Sequence, residues 1–365
     1  MLTPFLLILL ALSQTPVPSA PAAPPAPAPP PSSTPAPTPA ADAPASSENS
    51  TFNLLIAAPG SKTIKDLVYA KVGDIELHLD LFLPEVALSK DGATKEELAA
   101  IKPVPLVIWI HGGGWSAGNK DRAPTAGLTR RGFAGASIQY QLSGAAPHPA
   151  QIHDCKAAVR YLRANARKFN IDPDRIGVWG ASAGGHLAAL LATSDGDQAL
   201  EGTVGTHLGV SSRVQSCCNF FGPTDLADLT PKHGSPGIAR LMGGTPAEMP
   251  AAYAAANPIT YIDKTDVPFL IMHGDKDNIV PLRQSEMLET ALKAADVPVT
   301  LFVVKGAGHG FAGLAEAKMV VEFFERTLAM SNGNAPKESA QPAGDRAPNP
   351  SKAVPTEKTP VPNGK

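Results

Sequence analysis

Several features that the sequence lacks narrow the class of protein it encodes. The 365 residues carry a formal net charge of −2 and contain no large basic run, which argues against nucleic-acid binding. The zinc pattern His-Glu-x-x-His is absent, and so is a phosphate-binding Gly-x-Gly-x-x-Gly in a suitable setting. No apolar run reaches the roughly 20 residues of a membrane-spanning helix. We therefore expect no metal, no cofactor, no nucleic-acid partner and no transmembrane span.

Cysteine is scarce, with three residues that cannot all pair within one chain. Cys155 falls in a predicted helix, whereas Cys217 and Cys218 are neighbours in a predicted strand. In an exported protein, Cys155 can form a disulfide with one of the other two, and the sequence does not decide this. Buried free thiols are the simpler interpretation, and we favour it slightly.

Proline is concentrated towards both ends of the sequence. Residues 1–20 contain the apolar run Phe5–Leu12, whose length suits a signal-peptide core, although no lysine or arginine precedes it. Residues 21–50 are rich in proline and alanine, and residues 331–365 resemble them, so both are expected to be disordered. These features predict export, with a secreted, periplasmic or cell-envelope location. The alternative is a disordered terminus that is not cleaved.

The central part, residues 51–330, has ordinary proline content and is long enough to bury one core, so we predict a single domain there. Strand and helix patterns alternate, which indicates a mostly parallel sheet covered on both faces. The strand patterns are Ile75–Leu83 (antiparallel), Val104–Ile110, Phe133–Tyr140, Arg175–Trp179, Val214–Phe221, Pro268–Met272 and Val299–Val304, and the longest helix pattern is Gln151–Phe169. Residues 223–263 are rich in proline, glycine and alanine, and they are a possible cap insertion.

The segment Gly180–Gly184 joins the strand pattern Arg175–Trp179 to a run of small residues that favours a helix. A serine between glycines at such a junction is typical of the nucleophile elbow of α/β-hydrolases. The turn is so tight that the flanking positions need residues almost without side chains, and it lifts the serine hydroxyl into the site. We therefore predict Ser182 as the nucleophile.

A glycine-rich loop follows the strand pattern Val104–Ile110, in the segment His111–Trp115. Glycines at this position let backbone N–H groups point into a cavity without steric hindrance. The pattern predicts an oxyanion hole formed by the N–H groups of Gly113, Gly114 and Ala183, of which the last directly follows the serine.

Two later loops supply an acid and a base. The loop after Pro268–Met272 contains Asp275 and Asp277, and we choose Asp277 because it stands further into the loop and fits the pattern H-G-x-x-D-x-x-V-P. Asp275 is expected to cap the turn. His309 lies between glycines after the last strand pattern. The chain order Ser182, Asp277, His309 is that of an α/β-hydrolase catalytic triad.

Together these motifs predict the α/β class with an α/β-hydrolase fold, in which a mostly parallel central sheet carries helices on both faces and a small cap insertion. A serine is a weak nucleophile until a base removes its proton, and an imidazole suits that exchange near neutral pH. The remaining conspicuous histidines, His111, His186 and His273, are interpreted as buried support or loop braces. Five residues are candidates either to line a substrate pocket or to serve as packing residues: Phe220, Phe221, Leu241, Met242 and Tyr253.

The chain resembles the feruloyl-esterase-like (BD-FAE) branch of the α/β-hydrolases, which is related to acetyl esterases and the hormone-sensitive lipase group. The resemblance covers most of Val72–Leu328. It is carried by the segments His111–Trp115, Asp172–Gly180, Ala181–Ala188 and Phe221–Leu226 and by the loops of Asp277 and His309. Ala181 replaces an acid that is frequent before the serine in the hormone-sensitive lipase group, which favours the feruloyl-esterase-like branch. Gln141 replaces a frequent arginine.

The resemblance implies hydrolysis of carboxylic esters through an acyl-enzyme, with short acyl, acetyl or feruloyl groups on carbohydrates as substrates. Two alternatives remain open. One is a serine exopeptidase of the prolyl-oligopeptidase type, and the other is a non-catalytic, envelope-associated binding protein on the same fold. The sequence does not fix the oligomeric state.

Overall fold

The structure is a computed structural model. It describes residues 54, 56–88, 94, 100–233, 236–311 and 313–328. The predictions for residues 1–20, 21–50 and 331–365 fall outside this part of the chain, and they stay predictions. Within it, every helix is too short or too polar to cross a bilayer.

The described residues form one eight-stranded sheet with the strand order β1-β2-β4-β3-β5-β6-β7-β8. The strands are β1 Lys62–Val72, β2 Ile75–Leu83, β3 Val104–Ile110, β4 Ala134–Ile138, β5 Ile171–Ala181, β6 Ser216–Phe220, β7 Phe269–Gly274 and β8 Val299–Val304. The two pairs that involve β2 are antiparallel, and all the others are parallel. This confirms the predicted α/β-hydrolase architecture, including the early antiparallel strand.

Helices cover both faces of the sheet. The α-helices are α1 Ala150–Ala164, α2 Ala166–Phe169, α3 Ala183–Thr193, α4 Gln198–Glu201, α5 Leu226–His233, α6 Pro236–Met242, α7 Pro250–Ala256, α8 Arg283–Ala294 and α9 Leu314–Thr327. Short 3₁₀ helices occupy Glu85–Ala87, Pro124–Arg131 and Pro258–Thr260. The region predicted as a cap, residues 223–263, contains α5, α6, α7 and the last of these turns.

The apolar side chains of strand β3 belong to the hydrophobic cores on both faces of the sheet. Leu106, Ile108 and Ile110 pack with α1, α3 and α8 on one face, whereas Val107 and Trp109 pack with α9 on the other. Side chains alternate along a strand, so a strand covered on both faces has to be apolar throughout. Trp109 pairs with Trp179 of β5, and the two rings meet edge to face at 5.3 Å.

The chain order places all the predicted site loops at one edge of the sheet. Strand β3 lies between β4 and β5, so the chain leaves it in one direction and later returns on the other side. In open α/β sheets the carboxyl ends of strands at such a switch point form a crevice. The loops after β3, β5, β7 and β8 all open into this edge, and each carries one part of the predicted site.

Candidate active site

Ser182 occupies a strained turn between β5 and α3. Its φ is 55° and its ψ is −122°, a conformation that non-glycine residues rarely adopt. The turn closes because its flanks are glycines. A Cβ on Gly180 would lie 2.1 Å from the carbonyl oxygen of Gly184, and a Cβ on Gly184 would lie 2.0 Å from that of Ile110. The backbone thus holds the hydroxyl at the crevice without help from side-chain packing.

The structure brings together the three residues predicted as a triad. Nε2 of His309 lies 2.9 Å from Oγ of Ser182, and its Nδ1 lies 2.7 Å from Oδ2 of Asp277. A carboxylate accepts only, so we assign the proton of neutral His309 to Nδ1. The lone pair of Nε2 then faces the serine hydroxyl. This is the orientation that a general base needs.

Asp277 is held by four donors. Its Oδ1 accepts hydrogen bonds of 2.9 Å from the N–H groups of Ile279 and Val280, and its Oδ2 faces His309 and His273. Burial acts to raise the pKa of Asp277, but these donors outweigh it and hold the pKa far below its usual range. The side chain is therefore an anion near neutral pH.

Asp275, the other acidic candidate, points away from His309. Its Oδ1 accepts the N–H of Gly306 at 2.6 Å, and its Oδ2 lies 3.5 Å from Nζ of Lys305. It thus ties its own loop to the loop that follows β8, instead of capping its own turn as predicted.

The loop after β3 packs directly against the elbow. A Cβ on Gly112 would lie 2.8 Å from the carbonyl oxygen of Ala181, and Gly113, with φ +116°, is closed in by the carbonyl oxygen of Ala117 in the same loop. The N–H groups of Gly113, Gly114 and Ala183 donate to no acceptor among the residues that the structure describes. Unpaired amides are what the predicted oxyanion hole requires, and its role stays a prediction.

Lys120 anchors the far end of this loop, and the sequence patterns did not single it out. Its Nζ lies 2.9 Å from Oδ1 of Asp80 and 2.7 Å from Oδ1 of Asp66. The carboxylate of Asp80 is buried in β2, and it also accepts the backbone N–H of Asp66. The carbonyl oxygen of Lys120 accepts the hydroxyl of Ser137 in β4. The loop is thereby fixed to three strands, β1, β2 and β4.

Lys120→Met is expected to lower the free energy of unfolding by about 3 kcal/mol, because Asp80 is left buried without its cation. The matched control is Lys293→Met, which removes an exposed i,i+4 pair with Glu289 and is expected to change stability by less than about 0.5 kcal/mol. Urea unfolding of both variants measures the difference. Equal small losses in the two variants would contradict the anchoring role.

His111 and His186 brace the site rather than enter it. His111 donates from Nδ1 to the carbonyl oxygen of Gly112 and stacks on Tyr140 at 4.4 Å. His186 accepts the indole N–H of Trp115 at Nδ1 and donates from Nε2 to the carbonyl oxygen of Ala256. Burial lowers the pKa of His186 to about 4, so this imidazole is neutral near pH 7. Both histidines fit the supporting roles expected of them.

Gln141, which stands where related sequences often have arginine, meets a buried carboxylate. Its backbone N–H donates to Oδ2 of Asp154 at 2.8 Å, and its amide Nε2 lies within 3.2 Å of both carboxylate oxygens. Burial raises the pKa of Asp154 to about 6, and the bonds from Gln141 only partly oppose this. A neutral amide thus supports this carboxylate, without a cation.

Asp154 is expected to make stability depend on pH. Its pKa in the folded protein lies above the unfolded value of about 3.9, so the stabilisation that protonation provides is lost as the pH rises through about 6. Between pH 5 and pH 8, the free energy of unfolding of Asp154→Asn should therefore rise by about 1 kcal/mol relative to that of the wild type, as measured by thermal unfolding. The exposed variant Asp174→Asn is the control, and a pH-independent difference for Asp154→Asn would contradict the assignment.

The candidate pocket residues divide into two groups. Leu241, Met242 and Tyr253 are buried in the larger core, and Phe220 is buried in the other core against Phe311. Phe221 instead lies against the imidazole of His309, with ring centroids 4.6 Å apart, and it contacts Phe311 at 5.3 Å. Phe311 was not singled out from the sequence, although its position two residues after the histidine was a usable sign.

The three cysteines are free thiols, and all are buried. No His/Cys/Asp/Glu group with metal-ligand geometry occurs in the described part of the chain.

The sheet, the elbow and the loop order identify an α/β-hydrolase. The chain belongs to the BD-FAE family, whose model matches residues 96–292. The sequence resemblance to this family is thus confirmed.

Proteins with similar sequences or structures include several that are named as esterases. Esterase LipQ of Mycobacterium tuberculosis is 31% identical over 248 residues, which cover 66% of this chain and 58% of that protein. The chain thus spans little more than half the length of this curated relative. A truncated carbohydrate esterase from gut microbiota is 34% identical with a TM-score of 0.66, covering 75% of this chain and 99% of that one. An acetyl ester-xyloside bifunctional hydrolase from Caldicellulosiruptor lactoaceticus is 25% identical with a TM-score of 0.58, covering 74% and 97%.

Proposed function

We propose that this protein is a serine hydrolase that cleaves carboxylic esters through an acyl-enzyme. The observation that carries the proposal is the continuous chain of contacts from Ser182 through His309 to the buried carboxylate of Asp277. The esterase names among its relatives support the same activity.

In the first half-reaction, Nε2 of His309 takes the proton of Ser182 as Oγ attacks the ester carbonyl carbon. The carbonyl oxygen becomes negative and is stabilised by the N–H groups of Gly113, Gly114 and Ala183. Asp277 stabilises the imidazolium. His309 then gives its proton to the alcohol oxygen as the C–O bond breaks, which leaves the acyl group on the serine.

In the second half-reaction, His309 removes a proton from water, and the hydroxyl oxygen attacks the acyl carbon. Collapse of the second tetrahedral intermediate breaks the bond to Oγ of Ser182, which recovers its proton from His309. The products are a carboxylic acid and the free enzyme. Because the base has to be neutral, we expect kcat/KM to fall on the acid side of the pH profile.

For the substrate, we propose esters of short acyl groups, among them acetyl, or of feruloyl groups on carbohydrates. The support is the names of two structural relatives, a carbohydrate esterase and an acetyl ester-xyloside hydrolase. An envelope or secreted location, proposed from Phe5–Leu12 alone, agrees with a polysaccharide substrate that lies outside the cell.

A panel of esters tests the proposal. It runs from acetyl to long acyl p-nitrophenyl esters and includes acetylated xylan, methyl ferulate and dipeptide amides. We expect the highest kcat/KM on acetyl or feruloyl esters and no measurable cleavage of the amides. Preferential cleavage of the dipeptide amides would favour an exopeptidase, whereas a folded protein without turnover of any member would favour a binding protein.

A further inference from the structure

The carboxylate of Asp277 is approached by two imidazoles from different directions. Oδ2 lies 2.7 Å from Nδ1 of His309 and 3.2 Å from Nε2 of His273. His273 is the penultimate residue of strand β7, and its side chain has no exposed surface. Among the described residues, its polar contact with the site is the carboxylate of Asp277.

The partners of His273 assign its tautomer. Nε2 faces two acceptors, the carbonyl oxygen of Val280 at 2.7 Å and Oδ2 of Asp277, so this nitrogen has to carry a proton. Nδ1 lies 2.6 Å from Oγ of Ser285 in α8. In the neutral ring, the hydroxyl of Ser285 donates to Nδ1, and this bond keeps the proton on Nε2.

We propose that His273 is a positioning residue for the catalytic acid and that Ser285 fixes its tautomer. The N–H of His273 donates to the carbonyl oxygen of Val280, and Nε2 lies 3.2 Å from Oδ2 of Asp277, where its positive edge holds this oxygen at the place that receives the N–H of His309. This inference rests on the proposed hydrolase function. With His273 and Ser285 included, the contacts form one series that runs from Ser285 through His273, Asp277 and His309 to Ser182.

The surroundings of the two imidazoles are otherwise uncharged. Among the residues that the structure describes, the charged side chain in contact with either ring is that of Asp277. Phe221 faces both rings, with centroids 6.3 Å from His273 and 4.6 Å from His309. Asp275, on the adjoining loop, is occupied by Gly306 and Lys305. The polar route from His273 to His309 therefore runs through the carboxylate, and the packing route runs through Phe221.

His273→Phe removes the donor, and His273→Gln keeps an N–H near the position of Nε2. With His273→Phe we expect kcat to fall about tenfold to a hundredfold while KM changes less than about twofold, because the misplaced carboxylate affects the transition state and not substrate binding. His273→Gln should retain at least about a third of the wild-type kcat. A carboxylate with one donor fewer holds the imidazolium of His309 more tightly, so the acid limb of kcat/KM should move up by about 0.5 pH unit.

Because the ring of His273 is buried, Ser285→Ala provides a second test that removes only a hydroxyl. It should lower kcat about threefold and move the acid limb in the same direction. Ser194→Ala is the matched control, since it removes another buried helix-end hydroxyl that bonds only to the carbonyl oxygen of Leu190. That variant should alter neither quantity.

The wild-type protein, measured in the same assay, distinguishes failure of the positioning role from failure of the proposed hydrolase function. If it cleaves esters and neither His273→Phe nor Ser285→Ala changes kcat or the acid limb, the positioning role is wrong. A loss of kcat in both His273 variants and Ser194→Ala, with the limb unmoved, would mean a general packing effect and would also overturn it. If the wild type cleaves no ester, the proposed function fails instead.

Discussion

Ser182→Ala is expected to reduce kcat for ester hydrolysis by about 10⁴- to 10⁶-fold, because no other group can form the acyl intermediate. The substitution removes one oxygen from a residue whose backbone conformation is set by Gly180 and Gly184. We therefore expect the folded state and KM to be nearly unchanged. Steady-state kinetics with p-nitrophenyl acetate, beside circular dichroism, measures both.

The control for this variant is Ser211→Ala, an exposed serine far along the chain from the elbow. It should keep wild-type kcat. If Ser182→Ala retains more than about a tenth of the activity, the nucleophile is a different group, and the contact between Oγ and His309 does not have the role proposed for it.

Asp277→Asn is expected to reduce kcat by about 10³- to 10⁴-fold. An amide can present N–H to Nδ1 of His309, which would move the imidazole proton to Nε2 and leave no lone pair for the hydroxyl of Ser182. The variant also loses the negative charge that stabilises the imidazolium. Burst and steady-state kinetics at several pH values should show the loss in acylation, with KM little changed.

Asp275→Asn is the matched control, because it makes the same change two residues away. Its amide oxygen can still accept the N–H of Gly306, so only the outer ion pair with Lys305 is lost. We expect kcat within about twofold of the wild type. A larger loss in Asp275→Asn than in Asp277→Asn would reverse the assignment of the acid.

The loops of the candidate site were predictable because short sequence motifs determine their backbone geometry. Gly180, Gly184, Gly112 and Gly113 are required by close backbone contacts, and Gly114 has φ +58°. The choice of Asp277 over Asp275 followed from its place in the loop, and the structure places Asp277 against His309. Local pattern and chain order together predicted Ser182, Asp277 and His309, which the structure places in contact.

Features that depend on distant pairing were not predictable. Strand β1 was missed because bulges beside Ile64–Leu67 and Val68–Ala70 break its alternation, and Asp66 has φ 54°. The bond between Lys120 and Asp80 joins residues forty positions apart, and nothing local marks it. Strand and helix ends were displaced by a few residues, as where the pattern Gln151–Phe169 divides at Asn165.

The most direct test of the account is covalent labelling with a fluorophosphonate, followed by intact-mass measurement and peptide mapping. We expect one adduct per chain, located on Ser182 and absent from Ser182→Ala. The rate of its formation should fall at acid pH. An active enzyme that is labelled on another residue, or that stays unlabelled while it cleaves esters, would contradict the claim that His309 activates Ser182.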